Sequence, residues 1–219
     1  MKNLQKLSLL LLFCLFGFGT AQAQFSTVKL GAKVGLNVSQ LAVSNLADTR
    51  FEGFDRDNHF QIGTFGDFRL RSGFGLKVEV LYSRKGGQDF AEANSLISRD
   101  DQQKVRFDFI TLPVLLTYNY KNFQLEAGIE GAFRQSTRYN IALISITGNE
   151  RDNRYDIGLN LGVAYHIDRL SFGVRYNHGF NPMPVGSFFQ DTDGNTYDVQ
   201  PKFLLRTWQF TVGYDLVNG

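Results

Sequence analysis

Strict two-residue periodicity is the feature that most limits what this chain can fold into. Residues 122–133 read NFQLEAGIEGAF. Phe123, Leu125, Ala127, Ile129, Gly131 and Phe133 fall on one parity, and Gln124, Glu126, Gly128, Glu130 and Ala132 on the other. Side chains of a β-strand alternate between its two faces, so this stretch is a strand with one apolar face and one face of carboxylates, amide and glycine.

The pattern recurs eight times. The first strand, about 27–38, sets Val28, Leu30, Ala32, Val34, Leu36 and Val38 against Lys29, Gly31, Lys33, Gly35 and Asn37. Further strands are predicted at about 59–70, 73–84, 104–120, 122–136, 154–166, 169–180 and 203–216. The second is irregular, with Phe65 on its polar parity. The fourth changes phase: Val105, Phe107 and Phe109 make one apolar row, and Ile110, Leu112, Val114 and Leu116 the next. A one-residue slip of that kind predicts a β-bulge, and Pro113, which cannot donate to a ladder, fits an irregular strand.

The connections alternate in length. Long ones are expected near 39–58, 85–103, 137–153 and 181–202, and short ones near 71–72, 121–122 and 167–168. The long segments are rich in Asn, Asp, Ser, Gly and Arg, the composition of loops. Up-and-down barrels of the outer membrane combine short periplasmic turns with longer external loops. The fold class predicted is therefore all-β: an eight-stranded antiparallel up-and-down transmembrane β-barrel.

The first residues, MKNLQKLSLLLLFCLFGFGTAQAQ, supply a basic start at Lys2 and Lys6, an apolar run from Leu7 to Gly19, and small residues at Ala21 and Ala23. These are the three parts of a secretory signal peptide. The expected organisation is a signal peptide over 1–23 and one barrel domain over 24–219. Cys14 is the only cysteine and leaves with the signal, so neither a disulfide nor thiolate chemistry is expected in the mature chain. Loss of Lys2 and Lys6 brings the net charge from +2 to zero. Nucleic acid is not an expected partner, since it calls for a basic surface.

Volume decides which face is inside. The interior of an eight-stranded barrel is only wide enough to be filled by side chains. The large residues of the apolar rows, many of them aromatic, would overfill it. The apolar parity is therefore expected to face lipid. Its aromatic residues gather toward strand ends, as in the girdles at membrane interfaces. The expected lipid-facing and girdle residues are Tyr82, Tyr118, Phe123, Leu125, Ile129, Phe133, Tyr155, Tyr165, Phe172, Tyr176, Trp208 and Tyr214.

The ionic parity is then enclosed and must pair its charges, because an unpaired buried charge is very costly. The expected lumen network draws cations from Lys33, Arg69, Lys77, Arg106, Arg134 and Arg175. Its anions come from Asp67, Glu79, Asp108, Glu126, Glu130, Asp156 and Asp215. Sequence does not say which cation meets which anion. A lumen filled in this way is a plugged one rather than an open pore.

Several segments together resemble the PorT-like family of small outer-membrane β-barrels of Gram-negative bacteria. LGAKVGLNVSQL (30–41) resembles its first strand, VEVLYSRKGG (78–87) its third, and FITLPVLLTY (109–118) its proline-containing fourth. FGVRYNHGFNPM (172–183) and WQFTVGYDL (208–216) resemble the last two. One departure is the C-terminus. Such barrels end in an aromatic residue, whereas this chain continues past Tyr214 through Asp215, Leu216, Val217, Asn218 and Gly219. The resemblance implies an outer-membrane barrel and, by extension, an accessory role in protein secretion.

Other constellations admit sharper and blander readings. Glu126 and Glu130, four apart on one face, could be a hydrolytic carboxylate pair, but charge-paired lumen residues are the favoured reading. His166, Asp168 and Ser171 invite a hydrolase reading, yet a triad is defined by geometry and a tight turn gives these three no convergence. His59 and His178 are isolated and expected at the rim. DTDGN (191–195) carries Asp191, Asp193 and Asn195 at calcium-loop spacing. However, an EF-hand needs its glycine sixth and a glutamate twelfth, so a loop turn is the better reading. Arg84, Lys85, Lys104, Arg138, Arg151, Arg154 and Lys202 are expected at or above the outer rim, where they could meet lipopolysaccharide phosphates.

The reading that results is a non-enzymatic structural or interaction barrel of the outer membrane, without cofactor or metal. It is expected to be monomeric and surrounded by outer-membrane lipid, with secretion-machinery or envelope proteins as further partners. A lipid-modifying barrel enzyme and a soluble ligand-binding barrel are the competing readings.

Overall fold

A computed structural model describes residues 25–43, 54–88, 104–141, 144–148, 154–183 and 203–218. The candidate signal peptide, the 191–195 segment, Arg151 and Lys202 lie outside the described residues.

The strands are β1 (Phe25–Val43), β2 (Phe54–Leu70), β3 (Phe74–Gln88), β4 (Lys104–Tyr120), β5 (Phe123–Ile141), β6 (Ile144–Gly148), β7 (Tyr155–Ile167), β8 (Leu170–Gly179) and β9 (Phe203–Asn218). Each of the eight long strands pairs antiparallel with its neighbours in chain order, and β9 closes on β1. The result is a closed eight-stranded barrel. The remaining strand, β6, pairs among the described residues with the end of β5 alone. Residues 137–153, expected to be a loop, therefore carry a hairpin. Tyr139, Ile141, Ile144 and Ile146 are strand-forming residue types that extend the sheet beyond the barrel wall.

The connections visible at one end are tight. Lys121–Asn122 and Asp168–Arg169 are two-residue turns, each with its first residue in the left-handed region (φ 53° and 52°). The Leu70–Phe74 turn uses Gly73 at φ 87°, whose N–H donates to Leu70 O at 3.1 Å.

Alternation fixes the two faces. Large apolar residues cover the outside on every long strand, with Leu125 at 56% and Ile129 at 60% exposure. Between them Glu126 and Glu130 are enclosed, at 6% and 2%. Facing rings brace the outer surface at both ends. Phe74–Tyr118 and Phe123–Tyr165 (centroids 5.0 and 4.9 Å apart) lie near the tight turns. Phe60–Tyr82, Phe133–Tyr155 and Tyr176–Trp208 (5.8, 5.2 and 5.1 Å) lie toward the other end.

The fourth strand corrects the expected bulge. β4 keeps one alternation throughout, with odd positions inward from Val105 to Thr117. What changes is the residue type: the apolar row crosses from the inside at Val105, Phe107 and Phe109 to the outside at Ile110, Leu112 and Val114. The register break lies instead on β5, where Phe109 pairs with Arg134 and Asp108 with Ser136, leaving Gln135 as the extra residue. Phe65 likewise obeys its parity and points inward. A Cβ on Gly31 would sit 2.4 Å from the Phe65 ring, so that lumen glycine is the space the ring occupies.

Candidate functional site

Inward side chains stand in layers along the lumen axis. Near the tight turns, Lys29 pairs with Asp215 at 2.5 Å. Arg69 donates twice to Asp67 Oδ2, which also accepts from Gln124 Nε2.

The middle layer is built around Arg175 on β8. Its guanidinium donates to both oxygens of Glu79 (2.9 and 3.0 Å) and twice to Glu126 Oε2 (3.1 and 2.6 Å). β8 and β3 stand on opposite sides of the barrel, so the Arg175–Glu79 contact crosses the axis. Lys33 joins Glu79 at 2.5 Å, and Lys77 joins Glu126 at 2.7 Å while also bonding Gln124. Inward glycines make these reaches possible. Gly63 lies in register between Lys33 and Leu81, and Gly162 between Glu126 and Arg175. A Cβ on Gly162 would lie 3.1 Å from the Arg175 Cβ, and one on Gly63 would lie 2.1 Å from the Val80 carbonyl oxygen.

One layer farther from the tight turns, Lys85 Nζ bonds Glu130 (2.6 Å) and Asn177 (3.0 Å), and Asn160 bonds the second oxygen of Glu130. Asp156 accepts from the Asn181 N–H at 3.1 Å. Beyond these lies an apolar cluster of Leu41, Val105, Phe107, Phe109, Ala132, Met183, Phe203 and Leu205. Met183 reaches it because the chain after β8 folds back to bridge Phe203. The Arg134 guanidinium stacks over the Phe107 ring at 5.9 Å.

Three expected positions need correction. Arg106 and Asp108 do not enter the lumen. β4 sends its even residues outward, and Asp108 there accepts from Tyr82, Arg84 and Ser136 at 2.7–2.8 Å. Lys85, expected at the outer rim, is enclosed with Glu130, because odd positions of β3 point inward. Sequence reasoning also passed over Lys29, Asn160 and Asn177. Their inward parity was the available signal, but the stagger of the closed sheet, which decides the charges they meet, is not encoded in any single strand.

The histidine constellation disperses. His166 and Ser171 are register partners on β7 and β8, but the His166 ring lies 3.4 Å from Gln124 Oε1 and 3.4 Å from Arg69 Nη2. Asp168 is exposed in the turn. His59 is buried, 3.4 Å from Asp57. Among the described residues, no group of three or more His, Cys, Asp or Glu side chains could hold a metal ion.

Residues 21–184 match the family described as "Outer membrane protein beta-barrel domain". None of the curated proteins matches the chain. Among solved structures, Neisserial surface protein A (NspA) is 12% identical, with a TM-score of 0.49 over 87% of this chain and 99% of that one. Ail, the attachment invasion locus protein of Yersinia pestis, is 10% identical, with a TM-score of 0.46 over 87% and 98%. A major outer membrane protein from Thermus thermophilus is 13% identical, with a TM-score of 0.43 over 87% and 99%.

Proposed function

Because the chain belongs to the outer membrane protein beta-barrel domain family, we propose that it is a small outer-membrane barrel plugged by its own side chains. It acts through its two ends rather than through a pore or a catalytic centre. Residues 1–23 are the signal peptide removed on export, and 24–219 form the single barrel domain. The long connections face outward and the tight turns face the periplasm, as in other outer-membrane barrels.

One observation carries the reading: Arg175 clamps Glu79 and Glu126 together across the axis. Charges held by direct charge-assisted bonds at such distances leave little solvation for a passing ion. With the interior committed to its own pairing, the surfaces left for function are the outer connections, the periplasmic turns and the lipid-facing belt. The barrel works as a monomer in outer-membrane lipid, and lipopolysaccharide is a partner through cations at the outer rim. The PorT-like segments support a narrower extension, in which the periplasmic turns and outer loops hold components of a secretion machinery.

Purified protein in a planar bilayer tests the plug: no unitary current is expected. Steady channel openings of the unmodified chain would overturn it. Deleting the gene and comparing secreted and surface proteins tests the extension, and unchanged profiles would remove the secretion role.

A further inference from the structure

On the outward face of β3, β4 and β5, Tyr82, Ile110 and Phe133 stand side by side in register at the level of the aromatic row. The next row toward the long connections is Arg84, Asp108 and Ser136, and above it Arg106 and Arg138 face each other directly. Lys104 follows on the same face of β4. Among the described residues, four cations thus share this face with one acid.

That acid is already committed. Asp108 Oδ1 accepts from Arg84 Nε at 2.7 Å and from Tyr82 Oη at 2.8 Å, and its other oxygen accepts from Ser136 Oγ at 2.8 Å. Arg138 reaches it only at 3.9 Å and keeps half of its side-chain surface exposed. Arg106 Nε is buried and makes no hydrogen bond among the described residues. Like charges directly opposite on neighbouring strands repel, and among the described residues the one acid near the facing guanidiniums is Asp108, already shared with Arg84, so the pair calls for a further anion. Planar guanidiniums match phosphate oxygens two bonds at a time. In outer-membrane barrels the lipid headgroups lie just beyond the aromatic girdle.

We propose that Arg106 and Arg138 clamp a phosphate of an outer-leaflet lipid, with Arg84, held by Asp108, as the third cation of the site. The occupant is a phosphorylated glycolipid whose acyl chains run down the apolar face below Tyr82 and Phe133. The inference rests on the reading that the long connections face outward and narrows its lipopolysaccharide contact to one site. It leaves Lys85 out, since that ammonium is enclosed with Glu130.

The test is retention of bisphosphorylated lipid A by full-length protein through detergent exchange, counted by native mass spectrometry. Wild type is expected to retain it. Arg106→Gln/Arg138→Gln should weaken binding about tenfold or more, the scale of losing charge-assisted bonds. Wild type should hold dephosphorylated lipid A no better than the double variant holds the intact lipid. A matched pair at the tight-turn end, Arg71→Gln/Arg169→Gln, should change nothing. Boiling-dependent gel mobility shows that each variant is folded. Equal retention by wild type and the Arg106/Arg138 variant overturns the clamp, as does equal loss in the Arg71/Arg169 pair. Competition by inorganic phosphate alone at equal concentration would assign the site to free phosphate and also overturn the lipid occupant. A cysteine introduced by Ser95→Cys, labelled from outside intact cells, reports sidedness separately. Labelling with unchanged lipid retention refutes the clamp and leaves the orientation standing.

Discussion

Lys33 Nζ lies 2.5 Å from Glu79 Oε1, joining β1 to β3 over the strand between them. The bond ties non-adjacent strands from the inside, where backbone pairing cannot reach. Glu79 also receives two bonds from Arg175, so two enclosed cations share this carboxylate, and Arg175 is further paired with Glu126. Removing one partner of a buried pair leaves an uncompensated charge and costs about 3–5 kcal/mol. Glu79→Gln is therefore expected to lower the temperature at which the barrel unfolds in detergent far more than Lys33→Met. The double variant should recover part of the loss. Gel mobility after graded heating measures all three, and additive effects in the double variant would show that the pair is not coupled.

The Phe65 ring and the Tyr214 carbonyl both lie 2.4 Å from where a Gly31 Cβ would stand. One neighbour is a side chain and the other is backbone. Overpacking a filled interior costs about 1–3 kcal/mol. Gly31→Ala is expected to destabilise by an amount in that range. Adding Phe65→Leu should restore only part of it, since the carbonyl remains. Full recovery in the double variant would place the whole conflict on the ring.

How far such relationships could be read in advance depends on their range. Alternation is local, so strand positions, the closed barrel and the outward parity of Leu125 and Ile129 were legible. β4 shows the limit. Val105, Phe107 and Phe109 looked like an outward row displaced by a bulge, because apolar character was equated with lipid. They point inward into an apolar cluster instead, and the assumption carried Arg106 and Asp108 to the wrong side. Pairing was not legible either. Arg175 meets Glu79 across the axis, and that depends on the shear of the closed sheet, which no single strand encodes.

The tight turns allow a prediction of opposite signs. Gly73 has φ 87°, and a Cβ there would lie 3.1 Å from Asn119 O, so Gly73→Ala should cost about 1 kcal/mol or more. Lys121 holds φ 53° with a side chain, a conformation that penalises non-glycine residues by roughly 1–2 kcal/mol. Lys121→Gly should therefore stabilise, by about 0.5–1 kcal/mol after the entropy of the added glycine is subtracted. Denaturant titration of refolding in detergent or lipid vesicles reads both. A loss of stability in Lys121→Gly would mean that the lysine side chain, which lies over the Tyr120 ring at 5.5 Å, contributes more than the strain.

Ile129 separates a membrane barrel from a soluble one. It is 60% exposed and lies midway along β5 between the Phe123–Tyr165 and Phe133–Tyr155 ring pairs. If water wetted this surface, Ile129→Arg would be an ordinary exposed substitution with an effect within about 0.5 kcal/mol. In hydrocarbon, an arginine at the midplane of a barrel's lipid face costs about 2–4 kcal/mol, falling toward zero near the interfaces. Ile129→Arg is expected to fall in the larger range when folding is measured in lipid vesicles. Tyr155→Arg, at the girdle, should cost no more than about 1 kcal/mol. The contrast between the two positions tests depth within the bilayer rather than general tolerance of arginine. Equal, small effects at both would mean that the apolar belt faces water.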